Sequence, residues 1–421
     1  MVDQKLQEKN TLYAPAFLND WDEQSLYPLA DWLNGMAFKD FEFAPKGKPV
    51  IKIAEIKNGI SGQTRFTNEK YDDKYLLKKG DMLFCWSGQP QTSIDVFWWD
   101  GPEGWLNQHI FKVTSKLENK YFFFYLLKYL KPNFIQIAIN KQTTGLGHVT
   151  KGDLERFVVK LPKPEEQRAI AAVLSSLDDK IELLREQNKT LEATAQVIFK
   201  EWFVNFNFPN ATGKMIDSEL GEIPEGWRVG KINDLIDILS GFSFLSSEFS
   251  QDGKYKLVTI KNVQDRYFDS TTTDTLKEIP EKMPVHCKLE SGDILLSLTG
   301  NIGRICLVNG EGYLLNQRVA KLKAKDSTDY AFTYLLFLQD SIFSLLQSTA
   351  SGTAQQNLSP IQTKEIEIII ADRRTLDQFG KVANKLVQKI NGNLSQIQIL
   401  SKLRDAILPK LMRGEVRVKN F

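Results

Sequence analysis

The chain carries one unit twice, and this internal repeat restricts its fold more than any other feature. Lys79–Leu83 recurs as Ser291–Leu295 at an offset of 212 residues, and Leu106–Gln108 recurs as Leu315–Gln317 at an offset of 209. Further matches lie on either side in the same order, and collinear matches across such a length indicate a duplicated unit. Because the chain has 421 residues, two domains of ordinary size plus connecting segments account for it.

Each repeat is predicted to form a mixed domain of helices and strands. Asp81–Trp86 and Asp293–Leu298 are apolar runs that follow a Gly-Asp turn, which is typical of a strand. Tyr121–Leu130 and Tyr330–Leu338 are rich in aromatic residues and leucine over a helical length, which predicts one buried helix per repeat. We therefore expect two similar domains with many loops.

Each repeat ends in a segment whose apolar residues recur every three or four positions, the spacing of a coiled-coil helix. Pro162 and Pro164, followed by two glutamates, place proline and acidic residues in a first helical turn, so we expect the first helix to begin near Glu165. Its apolar seam comprises Ile170, Leu174, Leu177, Ile181, Leu184, Asn188, Leu191, Ala195, Ile198 and Trp202. The second seam, 209 residues later, comprises Phe379, Ala383, Leu386, Ile390, Asn393, Ile397, Leu400, Arg404, Ile407 and Leu411.

The two helices are expected to pair in antiparallel fashion, because two equivalent units in one chain tend to pack about a pseudo-two-fold axis. Matching the seams end to end places Asn188 opposite Asn393, a buried polar pair that costs stability but specifies register. Ile170 would meet Leu411 in the same register. Pro409 is expected to end or kink the second helix just before that layer.

The predicted fold class is therefore α/β (α+β), with two similar globular domains joined by two long antiparallel coiled-coil helices. We expect the first domain over residues 1–160 and a central helix over 161–206. The second domain is expected over 207–371, and a distal helix with its tail over 372–421.

Composition leaves the function open and excludes few classes. The formal net charge is only +2, but residues 104–151 hold seven basic side chains and one acidic side chain, so this stretch is a candidate to face phosphates. Cys85, Cys287 and Cys306 are odd in number and widely spaced, which fits a reducing compartment better than disulfides or a zinc site. No segment approaches the roughly 18 apolar residues of a membrane span. We expect a cytoplasmic protein without membrane association.

The sequence lacks the motifs of several catalytic classes. A Walker-type phosphate loop ends in Gly-Lys-Ser/Thr, and adenine methyltransferases carry an Asn/Asp-Pro-Pro-aromatic loop; neither pattern occurs. His109, His148 and His286 are the only histidines and lack the spacing of metal ligands. We therefore expect no catalytic residue and no metal site, which indicates a protein that recognises a ligand without transforming it.

Loops dense in Arg, Lys, Asn, Gln, Ser and Thr are candidates for contact with DNA, since these side chains recognise base edges and phosphates. In the first repeat they supply Lys57, Asn58, Gln63, Arg65, Ser87, Gln89, Gln91, His109, Lys141, Gln142, Thr143, Thr144 and His148. In the second repeat they supply Lys261, Asn262, Arg266, Thr299, Asn301, Arg304, Arg318, Thr353, Gln355, Gln356 and Asn357. Ordinary polar turns have the same composition, so each residue also has a purely structural interpretation. His109 and Arg318 differ at one equivalent position, as expected if the two repeats recognise different sequences.

Three segments resemble those of the specificity subunits of type I restriction-modification systems. They are Leu161–Ile170 (LPKPEEQRAI), Trp202–Phe206 (WFVNF) and Ile407–Val416 (ILPKLMRGEV). The resemblance covers nearly the whole chain. Asp372–Gln378, at the start of the second helix, departs from the Pro-Glu-Glu-Gln form of the first.

This resemblance implies a non-catalytic subunit in which each globular domain is a target-recognition domain for one half of a bipartite site in double-stranded DNA. It implies that the helices act as a ruler, since about 35 residues at 1.5 Å each span roughly 50 Å, and that shortening the first helix by whole heptads shortens the gap. It also implies two methyltransferase subunits that bring S-adenosylmethionine, and restriction/translocase subunits that use ATP and Mg²⁺. None of these cofactors is expected to bind this chain directly.

Two alternatives stay open at this point. The specificity subunit of another restriction class would share these features and differ only in its partner proteins. A coiled-coil interaction scaffold would use the same loops to bind protein rather than DNA. Salt-dependent, sequence-selective DNA binding distinguishes this scaffold from the main hypothesis.

Overall fold

The structure is a computed structural model, and it describes residues 12–13, 21–142, 145–271, 274–350 and 357–418. The chain divides into two compact units. Unit 1 comprises Met1–Asp179 with Lys402–Phe421, and unit 2 comprises Lys180–Ser401. Each long helix therefore contributes residues to both units, and the expected four-segment division of the chain stays a prediction.

Unit 1 is built from short strands and a few helices. Its strands are β1 Leu12–Tyr13, β2 Asp22–Ser25, β3 Ala30–Asn34, β4 Lys48–Ile51, β5 Phe66–Thr67, β6 Leu76–Leu77, β7 Met82–Cys85, β8 Ser87–Gly88, β9 Asp95–Trp98, β10 Gly104–Leu106, β11 Ile110–Ser115, β12 Gly147–His148 and β13 Phe157–Leu161. Its helices are α1 Ile53–Asn58, α2 Pro90–Ser93, α3 Lys120–Asn140, α4 Lys151–Arg156 and the first part of α5 Pro164–Phe203.

Unit 2 repeats this plan. Its strands are β14 Met215–Ile216, β15 Ile223–Pro224, β16 Arg228–Lys231, β17 Ile236–Ser240, β18 Tyr255–Val258, β19 Val263–Gln264, β20 Tyr267–Phe268, β21 Thr275–Leu276, β22 Lys288–Leu289, β23 Ile294–Ser297, β24 Ile305–Leu307, β25 Tyr313–Leu315, β26 Val319–Ala324 and β27 Glu367–Ile370. Its helices are α6 Ile232–Leu235, α7 Tyr330–Phe337, α8 Asp340–Thr349, α9 Pro360–Lys364 and most of α10 Arg373–Met412.

The two units share two four-stranded sheets of the same topology, which confirms the predicted duplication. An antiparallel sheet has the order β3-β11-β7-β9 in unit 1 and β17-β26-β23-β24 in unit 2. A second sheet has the order β5-β4-β10-β6 in unit 1 and β21-β18-β25-β22 in unit 2, with the middle pair parallel in both. The strands predicted after the two Gly-Asp turns are β7 and β23, and all four residues of each are buried.

The buried aromatic helix predicted for each repeat is present as α3 and α7. Phe122 and Phe123 of α3 pack with Phe84 of β7 in one core cluster of unit 1. The first helix is longer than predicted, because it continues through Pro132 to Asn140. The second ends at Phe337 and is followed by a separate helix, α8.

The long helices α5 and α10 each contain 40 residues, and the first begins at Pro164, one residue from the expected start. In unit 2 they pair in the predicted antiparallel register. The Asn393 Nδ2 donates to Asn188 Oδ1 at 2.8 Å, and farther along the pair the rings of Phe203 and Phe379 lie 4.8 Å apart. The predicted register is therefore confirmed at its polar layer.

In unit 1 the two long helices have the same antiparallel order, and the expectation that Pro409 ends the second helix was wrong. Arg404 of α10 lies 2.6 Å from Asp178 of α5, and Leu411 is buried in the same core cluster as Ile170. The helix continues for three residues beyond Pro409. A proline removes only one amide donor, and so close to the end of a helix few hydrogen bonds remain to be lost.

The packed faces of the helices deviate from a strict two-position seam in unit 2. Phe199 and Val387 are almost fully buried, whereas the seam residues Ile198 and Leu386 are only partly buried. The helices pack against α7 as well as against each other, and the Phe199 ring lies 5.5 Å from that of Phe332. A third packed surface broadens the apolar stripe of each helix.

Candidate nucleic-acid interface

In unit 1 several candidate loops begin where strands of both sheets end. The parallel strands β4 and β10 place Ile51 beside Leu106, so the loops that follow them leave from the same edge. The antiparallel strands β7 and β11 place Cys85 opposite Ile110, so the end of one meets the start of the other. We call residues 34–36, 86–87, 107–109 and 147–148 the loop edge of unit 1.

Unit 2 has a loop edge with matching backbone hydrogen bonds, formed by residues 240–242, 298–299, 316–318 and 357–358. In unit 1 the Trp86 amide donates to the His109 carbonyl at 3.3 Å. In unit 2 the Leu298 amide donates to the Arg318 carbonyl at 3.1 Å. The predicted equivalence of His109 and Arg318 is therefore confirmed in the backbone.

One glycine at each loop edge is required by close backbone contact. A Cβ atom on Gly35 would collide with the carbonyl oxygen of Asn107, and one on Gly241 would collide with that of Asn316. The Asn107 and Asn316 residues belong to the repeated Leu-Asn-Gln motif. This contact explains why a glycine recurs together with that motif in both repeats.

The loop edge of unit 1 carries an aromatic and amide cluster around His109. The exposed His109 ring has its Nε2 3.2 Å from Gln108 Nε2, and its centre lies 6.1 Å from that of Trp86. The Trp86 Nε1 donates to Asn34 Oδ1 at 3.0 Å. The sequence analysis missed Trp86 and Asn34, although a tryptophan directly before a polar loop is a usable signal.

The other candidates of unit 1 lie at several positions around this cluster. Ser87 and His148 are half-buried and face each other across the β8–β12 pair. The exposed candidates are Lys57, Asn58, Gln63, Arg65, Gln89, Gln91 and Gln142. Thr143 and Thr144 lie outside the described residues. The turn after α1 is shaped by the buried Glu55 carboxylate, which accepts from the Lys52 amide at 3.0 Å and from Thr64 Oγ1 at 3.1 Å.

Lys141 is engaged inside the domain, which contradicts its predicted contact with DNA. Its Nζ lies 2.6 Å from both carboxylate oxygens of the buried Asp153, and Arg156 contacts the same carboxylate at 2.9 Å. Burial opposes ionisation of Asp153, but hydrogen bonds from Lys141 and Thr150 outweigh it and lower the pKa of that carboxyl. The Lys141 charge is therefore largely neutralised.

The basic stretch 104–151 is partly neutralised by ion pairs, and the expectation that it faces phosphates stays a prediction. Most of its lysines contact aspartates from other parts of the fold. The pairs are Lys112–Asp81 at 2.8 Å, Lys116–Asp31 at 2.6 Å, Lys128–Asp95 at 2.9 Å and Lys131–Asp95 at 2.8 Å. Counting charges along the sequence did not reveal these partners.

At the loop edge of unit 2, Arg318 is exposed beside a groove of about 350 Å³. Gln317, Thr299 and Asn357 also line the groove, and β-bridge pairing joins Thr299 to Asn357. The Thr299 Oγ1 is buried and has no hydrogen-bond partner among the described residues. Arg318 therefore lines the groove together with a threonine whose hydroxyl is buried and unsatisfied.

Most of the remaining candidates of unit 2 fall into three groups. Lys261 and Asn301 are exposed. Thr353, Gln355 and Gln356 lie outside the described residues. Asn262 is 1% exposed, and its side chain organises its own loop by accepting from the Thr259 amide at 2.8 Å and donating to the Asp269 carbonyl at 2.8 Å. The predicted DNA contact by Asn262 is thus contradicted by its burial.

Two arginines predicted to contact DNA are turned toward protein partners instead. Arg266 donates to Glu192 of α5 at 3.0 Å. Arg304 is half-buried and donates to Gln264 Oε1 at 2.5 Å. Both predictions therefore need correction, since residue type alone does not show which partner an arginine has.

Each unit attaches its aromatic helix to a long helix through a tyrosine, a carboxylate and an arginine, which we call the anchoring triads. They are Tyr125–Asp178–Arg404 in unit 1 and Tyr334–Glu192–Arg266 in unit 2. The tyrosines are equivalent in the repeat, but the carboxylates and arginines are not. In both units, burial and the neighbouring carboxylate raise the pKa of the tyrosine.

Two further kinds of feature are absent from the described part of the chain. There is no group of three or more His, Cys, Asp or Glu side chains arranged to hold a metal ion. No helix there combines the length and apolar character that crossing a bilayer requires.

Comparison with known proteins places the chain in a family. The family model for the type I restriction modification DNA specificity domain matches it twice, over residues 19–193 and 224–396. The MjaVIII type I restriction enzyme specificity subunit of Methanocaldococcus jannaschii is 28% identical over 390 residues, which cover 89% of this chain and 87% of that protein. The HindI specificity subunit of Haemophilus influenzae is 23% identical and covers 95% of this chain and 100% of its own length.

A solved structure shares the fold. The crystal structure of the S subunit of a type I restriction-modification system from M. genitalium matches with a TM-score of 0.52 at 18% identity, and it covers 94% of this chain and 97% of that one. The two family matches together span most of the chain and coincide with the two repeats. The chain therefore belongs to the family of type I restriction-modification DNA specificity subunits.

Proposed function

We propose that this chain is the non-catalytic DNA-reading subunit of its system, and that each unit recognises one half of a bipartite duplex target. The observation that carries this proposal is the pair of loop edges with matching backbone and different side chains. The position held by His109 in unit 1 is held by Arg318 in unit 2. Two loop edges with the same backbone arrangement but different side chains are suited to recognise two different half-sites.

Arg318 is the best candidate for a base contact in unit 2. A guanidinium recognises guanine through O6 and N7 in the major groove, and one good bidentate contact discriminates by about 1 to 3 kcal/mol. Arg318 is exposed at the rim of a groove whose other polar side chains are Gln317, Thr299 and Asn357. In unit 1 the neighbouring Gln108 and His109 take this role, since a glutamine amide recognises adenine through N6 and N7.

Contacts with the DNA backbone are assigned to exposed residues of the other candidate loops. Lys57, Arg65 and Lys261 carry charges on exposed side chains. Such contacts position the duplex without reading its sequence. Lys141, Asn262, Arg266 and Arg304 are left out of this assignment because their polar atoms are already engaged.

The proposal is tested by mapping methylated adenines in cells that carry the complete system. Arg318→Ala is expected to relax the sequence at one position of one half-site, and His109→Ala is expected to affect only the other half-site. Arg374→Ala, an exposed arginine at the start of α10, is the matched control. If Arg318→Ala relaxed the sequence specificity equally at both half-sites, the proposal that each unit recognises one half-site would be contradicted.

The methyltransferase partners are proposed to dock on a second apolar stripe of the long helices. Leu183, Thr190 and Val197 lie seven residues apart on α5, and Leu183 and Val197 are 50% and 62% exposed. Positions 392, 399 and 406 of α10 follow 209 residues later, and Ile399 there is 64% exposed. Val197→Glu is expected to reduce co-purification of the methyltransferase subunit, whereas the exposed control Lys200→Glu is not.

The helices are also proposed to set the gap between the half-sites. A helix of 40 residues is about 60 Å long. The matched positions 179/180 of α5 and 401/402 of α10 fall in the same layer of the register. Inserting one heptad at both positions should widen the gap by about 10 Å, or about three base pairs at 3.4 Å each. An unchanged gap between the methylated half-sites would contradict the proposal that helix length sets this gap.

The cofactors of the system are proposed to reside in the partner subunits. S-adenosylmethionine would bind the methyltransferase subunits, and ATP with Mg²⁺ would bind restriction/translocase subunits. Because such a complex acts on cellular DNA, we propose the cytoplasm as its location. Methylation without restriction in the mapping experiment would indicate that the nuclease partner is missing from the system.

A further inference from the structure

One aromatic side chain of unit 1 projects from the surface of its domain. Phe41 lies in a turn between β3 and β4 and is 82% exposed. No aromatic residue in the described part of the chain is more exposed. The Lys39 Nζ lies 5.6 Å from the centre of its ring. Single exposed apolar residues are common on protein surfaces, but three features distinguish Phe41.

The first feature is the fixed backbone of the turn that carries Phe41. The Lys39 amide donates to Glu42 Oε2 at 2.5 Å, and the Tyr71 hydroxyl donates to Glu42 Oε1 at 2.8 Å. These hydrogen bonds lower the pKa of the Glu42 carboxyl. The Tyr71 ring lies 5.2 Å from that of the buried Trp105 on β10. The turn is thus attached to a sheet of the domain, and its exposed ring is held at a defined place.

The second feature is that unit 2 forms the same turn without an aromatic residue at this position. The Leu245 amide donates to Glu248 Oε2 at 3.3 Å, which repeats the bond that closes the turn in unit 1. When the two loop-edge glycines are aligned at an offset of 206 residues, Ser247 takes the place of Phe41, and it is exposed. Because the turn forms with a serine there, the fold does not require an aromatic side chain at position 41.

The third feature is the positive charge between this turn and the loop edge of unit 1. The Phe43 ring centre lies 5.6 Å from Lys52 Nζ and 5.3 Å from the Arg65 guanidinium. Lys52 directly follows β4, at the edge from which the loop 107–109 also leaves. Arg65 is one of the exposed residues proposed to contact the DNA backbone, and Asp40 is an exposed acidic residue of the turn. An exposed ring with cations beside it fits a polyanion that also offers flat base surfaces.

We propose that Phe41 is a wedge that inserts between two stacked base pairs beside the half-site recognised by unit 1. This role rests on the proposed function, since it needs a bound duplex. Apolar wedges unstack one base step and bend the duplex, and the cost depends on the sequence of that step. Unit 1 thereby selects a deformable step, such as TA or CA/TG, next to the bases contacted by Gln108 and His109. Unit 2 carries Ser247 instead and has no wedge at the equivalent turn.

The test uses the full chain in complex with its methyltransferase subunits and a short duplex that carries the site found by methylation mapping. 2-Aminopurine, whose fluorescence rises on unstacking, replaces in turn each base that flanks the half-site relaxed by His109→Ala. The methylated adenine is left in place, because a methyltransferase unstacks that base itself. The parent complex is expected to raise the fluorescence at one flanking step.

Phe41→Ala should abolish this rise and weaken binding of the duplex about tenfold, because stacking of a base on an aromatic side chain is lost. Phe41→Trp should retain both the unstacking and the affinity. Ser247→Ala, in the equivalent turn of unit 2, is the matched control and should change neither. The salt dependence of binding separates stacking from charge: Phe41→Ala should leave its slope unchanged, whereas Arg65→Gln should reduce the slope by about 1.

Several outcomes would overturn the proposal. These are equal affinity of the parent chain and Phe41→Ala, unstacking that persists in Phe41→Ala, and a loss of affinity without unstacking by the parent chain. Reduced co-purification of the methyltransferase subunit with unchanged DNA affinity would assign Phe41 to a protein contact instead. Absence of selective binding to any duplex would overturn the proposed function as well, whereas selective binding that is indifferent to Phe41 would overturn the wedge alone. Unchanged thermal unfolding of the variants ensures that a loss of binding is not a loss of fold.

Discussion

The buried amide pair of the long helices provides the most direct test of their register. Asn393 is 0% exposed, and its Nδ2 donates to Asn188 Oδ1 at 2.8 Å. Its own Oδ1 is buried without a partner among the described residues. Asn188 is half-buried and donates to the Ile390 carbonyl at 3.3 Å. The pair thus combines one good hydrogen bond with one unsatisfied acceptor.

Asn188→Leu removes the acceptor of that bond and leaves Asn393 with a buried, unpaired donor. The alternative acceptor, Gln187 Oε1, lies 3.5 Å away, which is too far for a strong bond. The loss of a partner by a buried donor costs about 1 to 3 kcal/mol. A cost of about 2 kcal/mol raises the population of the locally open helix about 30-fold.

The double variant Asn188→Leu/Asn393→Leu is expected to behave differently. It removes the donor and the unsatisfied acceptor together and makes the apolar seam continuous. Replacement of a buried polar pair by apolar side chains is often neutral or stabilising, at the expense of register specificity. We therefore expect its opening free energy to equal or exceed that of the parent chain.

The assay is hydrogen–deuterium exchange of the peptides that cover 181–200 and 383–400, under conditions where exchange reports equilibrium opening. Gln396→Leu, an exposed amide on α10, is the control and should change exchange little. If the double variant loses as much protection as the two single variants added together, the asparagines are not coupled. The register argument would then be refuted.

Three further predictions follow from buried charges and thiols. Glu192→Gln removes the charged partner of Arg266 and should speed exchange in the adjacent turns of α5 several-fold; unchanged exchange would mean that the triad contributes nothing to anchoring. Burial raises the pKa of Cys85 to about 12, so a thiol reagent at pH 8 should modify it only after unfolding, and rapid labelling of the native chain would contradict this burial. Burial opposes ionisation of the Asp95 carboxyl, but Lys128 and Lys131 outweigh this effect and lower the pKa of Asp95. The ionised Asp95 carboxylate therefore stabilises the fold above about pH 4, and this stabilisation is lost as the pH falls through the lowered pKa. Asp95→Asn should therefore destabilise unit 1 in urea titrations at pH 7 and have a shrinking effect in strong acid, and a pH-independent difference would disprove the mechanism.

The architecture was predictable because its signals repeat along the chain. The offset of 209 residues and the heptad spacing together determine which helix faces meet, and the Asn188–Asn393 contact follows from them. Pro409 was misjudged because a general rule about helix interiors was applied near a helix end. The burial of Phe199 was missed because a heptad pattern identifies only the residues that face a partner helix. Phe199 also packs against the globular part of unit 2.

The candidate site was predictable in its backbone and only partly in its side chains. The equivalence of His109 and Arg318 came from collinear matches. Lys141, Arg266 and Asn262 have the residue types of DNA contacts but bind partners 7 to 74 residues away in sequence. Composition identifies which side chains are able to bind DNA, whereas the fold decides which of them remain available.

The anchoring triad of unit 2 has a consequence for how such proteins can diversify. Glu192 lies on α5, ahead of the second family match over residues 224–396, whereas Arg266 and Tyr334 lie within that match. A recombination event that exchanged the chain from residue 207 onward would import a new tyrosine and arginine but keep the old carboxylate. Only a donor segment that carries both the tyrosine and the arginine would preserve the contact with Glu192. A residue of a helix outside the exchanged segment therefore restricts which new specificities can be acquired.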